Sequence, residues 1–238
     1  MTTEGLQLAS RFSLSPNALG YCGRDSAPNK LLSCVLGGNC EGVTKELENF
    51  IVLNPYLKTL AEITGQDKFS YPVVESYWLG NDELKKTRPS DYDLLLKNFA
   101  EQKVPDWLVK ELRLRRPKVF IPFHLFQILH VGVGRISGSV PFTIETINDC
   151  MIRWGNVLEI DKTKGKLKAS VATLEQQNKT GYRLIITDGT FDYSPDFVPG
   201  LNVGDPVAFH WQMAAKKLTS REEVNLACWT EAIVGDLT

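Results

Sequence analysis

The sequence predicts an α+β protein. A helical N-terminal domain, residues 1–140, is followed by a small OB-like β-barrel domain, residues 145–238, that ends in a helix. Three observations carry this expectation. Apolar residues recur at helical spacing through the first half. After Cys150 the chain changes to short runs of alternating character divided by turn residues. Between the two lies the stretch Pro117 to Gly155, whose first half is the most apolar run in the protein and whose second half is a Gly/Ser/Pro connector.

The elements follow in order. Residues 1–40 carry many turn formers, including Ser-Pro-Asn, Gly-Arg-Asp, Ala-Pro-Asn and Gly-Gly-Asn. Helical periodicity begins at Glu41, with Val43, Leu47, Phe50 and Ile51 on one face. Pro55 interrupts it, and Leu57, Leu60 and Ile63 carry it on to Gly65. A further helix is expected over Val73–Lys85. Ser90 reads as a helix cap with Asp91 and Asp93 in the first turn, and a short helix is expected over Asp106–Leu112. Strands are expected over Met151–Ile160, with Gly155 a bulge or close-approach point, over Lys166–Thr173, over Tyr182–Thr187 and over Pro206–Trp211. Asp188-Gly189 reads as a hairpin turn. Thr219-Ser-Arg-Glu222 is a capping box that opens a last helix.

Composition sets limits on function. A net charge of −1 with 23% charged residues lacks the basic excess of a generic polyanion binder, so no nucleic-acid partner is expected. The run Lys162–Lys168 reads as a solvated hairpin. The longest apolar run, Val119–Gly134, is interrupted by His124, Gln127 and His130, and it is shorter than the ~20 residues of a membrane span. No membrane insertion is expected. The start Met-Thr-Thr-Glu is polar and acidic, unlike a secretory leader. With no CxxC among five cysteines, the expectation is a cytoplasmic protein with reduced thiols.

Candidate chemistry rests on few residues. Cys150 and His210 offer a soft thiolate and an imidazole, a pair suited to a transition metal such as iron, zinc or copper. His124 and His130 are six residues apart. They point to different faces of a helix but share one face of a strand. Cys22 sits between Tyr21 and Gly23, where a ligand could approach closely, and Arg24 beside it would favour the thiolate. Cys34-x5-Cys40 lacks zinc-knuckle spacing. Gly132-Val-Gly-Arg-Ile-Ser-Gly138 leads into Ser-Val-Pro rather than into a βαβ helix, so it reads as a connector and not a phosphate loop. Glu75, Asp82 and Glu83 cannot be paired as catalytic acids.

The C-terminal half also carries an ordered set of motifs. Cys150 is followed by Gly155 and by Val157-Leu-Glu-Ile160. Val203-Gly-Asp205-Pro-Val207-Ala-Phe-His210-Trp-Gln-Met-Ala214 comes later, then Leu218-Thr-Ser-Arg-Glu222. This order resembles the HypC/HupF family of hydrogenase-maturation chaperones over residues 150–238. The resemblance implies an OB-like barrel with a C-terminal helix. It further implies that Cys150 and His210 take part in holding the iron carbonyl–cyanide (CO/CN) precursor of a [NiFe] centre. Cys150 is internal, whereas the family's cysteine stands at the mature N-terminus, and Trp154 replaces the usual proline before the glycine. The whole chain, with Gly-Tyr-Cys22-Gly, Tyr77-Trp-Leu-Gly-Asn-Asp82 and Pro122-Phe-His124, also resembles an uncharacterised family found near hydrogenase genes.

The leading expectation is therefore a non-enzymatic accessory protein of [NiFe]-hydrogenase maturation. Its partners would be the hydrogenase large subunit or other maturation proteins. The alternative is a cytosolic metal- or cysteine-dependent enzyme with a pocket around Cys22, His124 and His130. A plain interaction module without metal is the third.

Overall fold

The structure, a computed structural model, describes residues 2–23, 27–178 and 181–236. The chain divides into two compact units, Met1–Pro141 and Phe142–Thr238.

The first unit is helical. Its helices are α1 (Thr3–Ala18), α2 (Pro28–Gly37), α3 (Val43–Glu48), α4 (Leu53–Thr64), α5 (Tyr71–Trp78), α6 (Tyr92–Glu101), α7 (Asp106–Leu114) and the short α8 (His124–Phe126). The last runs directly into a π-helical turn, Gln127–Gly132. Helix α1 packs on α2 and α5, α4 on α5 and α6, and α6 on α7. Their apolar faces meet around Phe12, Leu57, Leu60, Val73, Val74, Leu95 and Phe99, all nearly solvent-free.

Several boundaries differ from expectation, each for a local reason. The turn-rich first 40 residues hold two helices. Pro28 opens α2, where a missing N–H is tolerated; Pro16 lies in the last turn of α1, where it gives up one helical hydrogen bond close to the helix end. Ser10 and Ser13 are fully buried on α1, so small polar residues stand at core positions that periodicity reads as breaks. Pro55 falls within the first turn of α4 and does not interrupt it; the break is at 49–52. Gly65 ends α4 in the left-handed conformation, φ +68°. The segment expected as one helix over Val73–Lys85 stops at Trp78, and Asn81 then caps a separate 3-10 turn over Asp82–Lys86. At the next start the reciprocal cap uses Asp91, whose carboxylate accepts from the Arg88 N–H at 2.8 Å, rather than Ser90.

The expectation of five reduced thiols is corrected. Cys34 and Cys40 form a disulfide, with Cα atoms 4.4 Å apart. Gly38, left-handed at φ +68°, turns the chain just after α2 and brings Cys40 back toward Cys34.

The second unit begins with a helix that the sequence reading did not contain, α9 (Ile144–Cys150). Thr143 caps it: its Oγ1 accepts from the Thr146 N–H at 3.4 Å, and the Thr143 N–H donates back to Thr146 Oγ1 at 3.0 Å. Then come β1 (Arg153–Asp161), β2 (Lys166–Gln176), β3 (Tyr182–Asp192), β4 (Pro206–His210), β5 (Met213–Lys217) and α10 (Ser220–Asp236). The described strands form one sheet in the order β1-β2-β3-β5-β4, and β4 returns to pair with β1, so the sheet closes on itself. All pairings are antiparallel except the seam between β3 and β5, a single parallel pair at Asp192 and Met213. The interior is filled by Val157, Leu167, Ala169, Val171, Phe191, Val207 and Phe209. Phe191 and Phe209 stack at 3.9 Å.

Two strand expectations change. Asp188-Gly189 is no hairpin turn: Asp188 pairs with Ser170 and Gly189 with Ala169 in mid-strand. Strand β3 is consequently longer than expected, because cross-strand pairing along β2 outweighs a local turn signal. Strand β5 is an added element. Gly155 is a close-approach point, since a Cβ there would lie 1.8 Å from the Ser170 carbonyl oxygen. The bulge itself falls two residues later, between Val157 and Glu159. Helix α10 opens on the expected capping box: the buried Glu222 carboxylate accepts from Thr219 N–H at 2.9 Å, and the Glu222 N–H donates to Thr219 Oγ1 at 3.2 Å.

Candidate metal centre

Cys150 is the last residue of α9, and His210 is the last residue of β4. Sixty positions separate them in sequence. The closed sheet removes that separation, because β4 lies beside β1, which follows α9 after two residues. The Cys150 Sγ and a ring nitrogen of His210 lie within 4.8 Å of each other. Both residues are buried, at 4% and 3% exposure. Bonds of about 2.3 Å to sulfur and about 2.0–2.1 Å to imidazole nitrogen place two donors of one ion at most about 4.4 Å apart. The pair therefore lies at or near the separation that one ion can span.

The residues around the pair hold it in place. Asn148 docks α9 on β2 as if it were a strand edge. Its amide Nδ2 donates to the Leu174 carbonyl at 2.9 Å, and its Oδ1 accepts from the Leu174 N–H at 2.8 Å. Asp149 does the same toward the β4–β5 hairpin. Its carbonyl accepts from the Trp211 N–H at 2.7 Å. Its carboxylate accepts from the Gln212 side-chain amide and from Arg153 Nη2 at 3.4 Å. Burial pushes the Asp149 carboxyl above the usual range, against the opposing pull of Arg153 and Gln212. Arg153 lies over the Phe191 ring at 4.9 Å, which fixes its other face.

The turn after His210 is unusual. Trp211 and Gln212 have φ of +47° and +63°. Two left-handed residues in a two-residue hairpin loop make a type I′ turn, normally built from Asn and Gly.

The other histidines lie in the helical unit. His124 Nδ1 is 2.9 Å from the Tyr77 hydroxyl, which in turn donates to Gln127 Oε1. The Tyr77 oxygen therefore accepts from His124 Nδ1–H. Trp78 packs against this ring at 4.5 Å. His130 Nε2 is 2.8 Å from the Tyr92 hydroxyl, and Tyr92 donates to the Leu112 carbonyl at 3.0 Å. His130 is thus a donor to Tyr92. Burial, aided by the Arg115 charge, lowers its pKa to about 4. His130 reads as a neutral, structural histidine.

Cys22 sits elsewhere in that unit. Its N–H donates to the Pro16 carbonyl at 3.2 Å, and its carbonyl accepts from Asn17 Nδ2 at 3.0 Å. Burial pushes its thiol up to about 11, the opposite of an activated thiolate. Arg24, invoked as its activator, lies outside the described residues. Cys22, His124 and His130 each have different hydrogen-bond partners. Among the described residues, no set of three His, Cys, Asp or Glu side chains that includes Cys22 or His130 gathers within metal-ligand reach.

Cys150 and His210 are singled out by residue type; Asn148 and Asp149, which bond to Leu174, Trp211 and Gln212 beside them, are not. The available signal was Thr143-Ile-Glu-Thr146 ahead of Ile147, a helix start with a hydroxyl cap and an acid in the first turn. It was hidden by its place directly after a Gly/Ser/Pro connector.

Residues 1–236 match a family of unknown function, DUF6390, and the chain belongs to that family. No curated protein and no solved structure matches it. No helix among the described residues is long and apolar enough to cross a membrane.

Proposed function

We propose that this protein is an accessory factor of metallocentre assembly that carries a soft first-row metal fragment on Cys150 and His210. The specific cargo we propose is the iron carbonyl–cyanide fragment of a [NiFe]-hydrogenase. The client would then be the hydrogenase large subunit or another maturation protein. The observation that carries this reading is the approach of the Cys150 sulfur to the His210 ring within 4.8 Å, in a buried setting. A thiolate and an imidazole suit low-spin iron, and two protein donors leave coordination positions for small ligands. The strand order, with its parallel β3–β5 seam, supports reading the sheet as an OB-type barrel. The motif order from Cys150 to Glu222 supports the resemblance to the HypC/HupF chaperones. Cytoplasmic placement and a non-enzymatic role go with the same reading.

The test is anaerobic. Protein purified from cells that make hydrogenase should carry iron with CO and CN infrared bands. Cys150→Ala should lose those bands and fail to support maturation while its circular dichroism stays unchanged. Cys228→Ala, which removes an exposed thiol on α10, should keep both. A Cys150→Ala protein that retains the infrared bands and matures hydrogenase at the wild-type rate would refute the proposal.

A further inference from the structure

We infer that Asp149 is a positioning residue that sets the distance between Cys150 and His210; its importance for metal binding rests on the proposal above, but its geometric role does not. The two donors sit on different elements, the end of α9 and the end of β4. Asp149 is the residue next to one donor, and it bonds both residues of the turn next to the other. Its carbonyl takes the Trp211 N–H at 2.7 Å. Its carboxylate takes the Gln212 amide.

The chain around this contact is arranged for it. Asn148 fixes the same helix end to Leu174 through two hydrogen bonds, at 2.9 and 2.8 Å. The helix end is thus tied at 148 to β2 and at 149 to the β4–β5 turn, with Cys150 as the next residue. On the other side, the turn is locked by the Asp192 N–H donating to the Gln212 carbonyl at 2.8 Å. Gln212 is thereby held by its main chain to β3 and by its side chain to Asp149. Its left-handed backbone, φ +63°, turns the chain sharply at this point. A glycine or asparagine would enter that conformation more easily, but neither carries an amide on so long a stem. Partners that orient metal ligands from outside the first coordination sphere commonly govern affinity by about 10–100-fold.

The experiment has two arms. The first needs no metal. In the wild-type background, Cys150→Ser should shift the His210 ring NMR signals, because the two side chains are close. In an Asp149→Ala background, which keeps the main-chain bond to Trp211 and loses the carboxylate tie to Gln212, the same substitution should shift those signals clearly less. The second arm adds cobalt(II) as the probe. Asp149→Ala and Gln212→Ala should each weaken cobalt binding by about 10–100-fold. The thiolate-to-cobalt charge-transfer band should remain while the d–d envelope changes, as expected when the sulfur stays and the imidazole drifts. Asp149→Asn keeps an oxygen for the Gln212 amide and should restore most of the affinity. The double variant Asp149→Ala/Gln212→Ala should be little worse than either single one, since both cut the same tie.

Undiminished His210 coupling to Cys150 in both Asp149→Ala and Gln212→Ala would overturn the inference. Gln212 lies at an exposed turn, so its variant serves if Asp149→Ala does not fold. Wild-type protein that binds no cobalt would count against the metal site itself, and the NMR arm would still decide the role of Asp149.

Discussion

His130 shows how one buried side chain ties stability to pH. In the folded protein its pKa is lowered to about 4, chiefly by burial and then by Arg115. The ordinary value is about 6.5. Between those values the unfolded chain binds more protons than the native one, so stability rises with pH across that window. The contribution is fully present above about pH 6.5 and is lost as pH falls toward 4. Its full size is about 3 kcal/mol. Urea midpoints measured from pH 7 to pH 4.5 should therefore fall, and His130→Gln should flatten the dependence. An equally steep fall in the variant would assign it to other groups. For Cys150 and His210 the residue types are readable in the sequence, but their approach depends on β4 pairing with β1, and no local pattern carries that.

At the scale of elements, β1 is pinned at one glycine. A Cβ at Gly155 would collide with the Ser170 carbonyl oxygen, a backbone atom that cannot move without breaking the β1–β2 ladder. Gly155→Ala should therefore lower stability by about 3 kcal/mol or more, read as a drop in thermal midpoint. Gly235→Ala is the control. It has open space around its Cβ position and lies in α10, so it should be neutral or slightly stabilising. A Gly155→Ala midpoint equal to wild type would show that β1 does not approach β2 so closely. The close approach at Gly155 and the α10 cap were legible because each is written in adjacent residues. The Asp188-Gly189 signal misled for the converse reason: in β3 it is overridden by pairing to Ser170 and Ala169. Strand β5 was missed because the turn before it uses Trp211 and Gln212, neither a turn-forming type. Helix α1 was missed because serines and a proline occupy buried positions on it.

For the whole molecule, the helical unit and the sheet unit part between Pro141 and Phe142. The cap of α9 begins at Thr143, and Asn148 and Asp149 lie in the last turn of that helix. A fragment covering 142–238 should fold by itself and give well-dispersed amide NMR signals. A fragment beginning at 150 should be much less stable, since it lacks the two Asn148 bonds to Leu174, each worth about 1 kcal/mol, together with the buried Ile147. Equal stability of the two fragments would show that α9 is dispensable to the sheet.

The Trp211-Gln212 turn has a consequence for how this chain tolerates change. Left-handed backbone at two residues with side chains is a standing cost, of order 1 kcal/mol or more at each. Replacement by Asn-Gly would relieve it and should give a sturdier hairpin. The same replacement would delete the Gln212 amide that reaches Asp149. Selection for robust folding and selection for a well-held His210 therefore pull this dipeptide in opposite directions. A library screened only for expression would drift toward Asn-Gly, and its winners would be the most stable and the least able to keep sulfur and imidazole together.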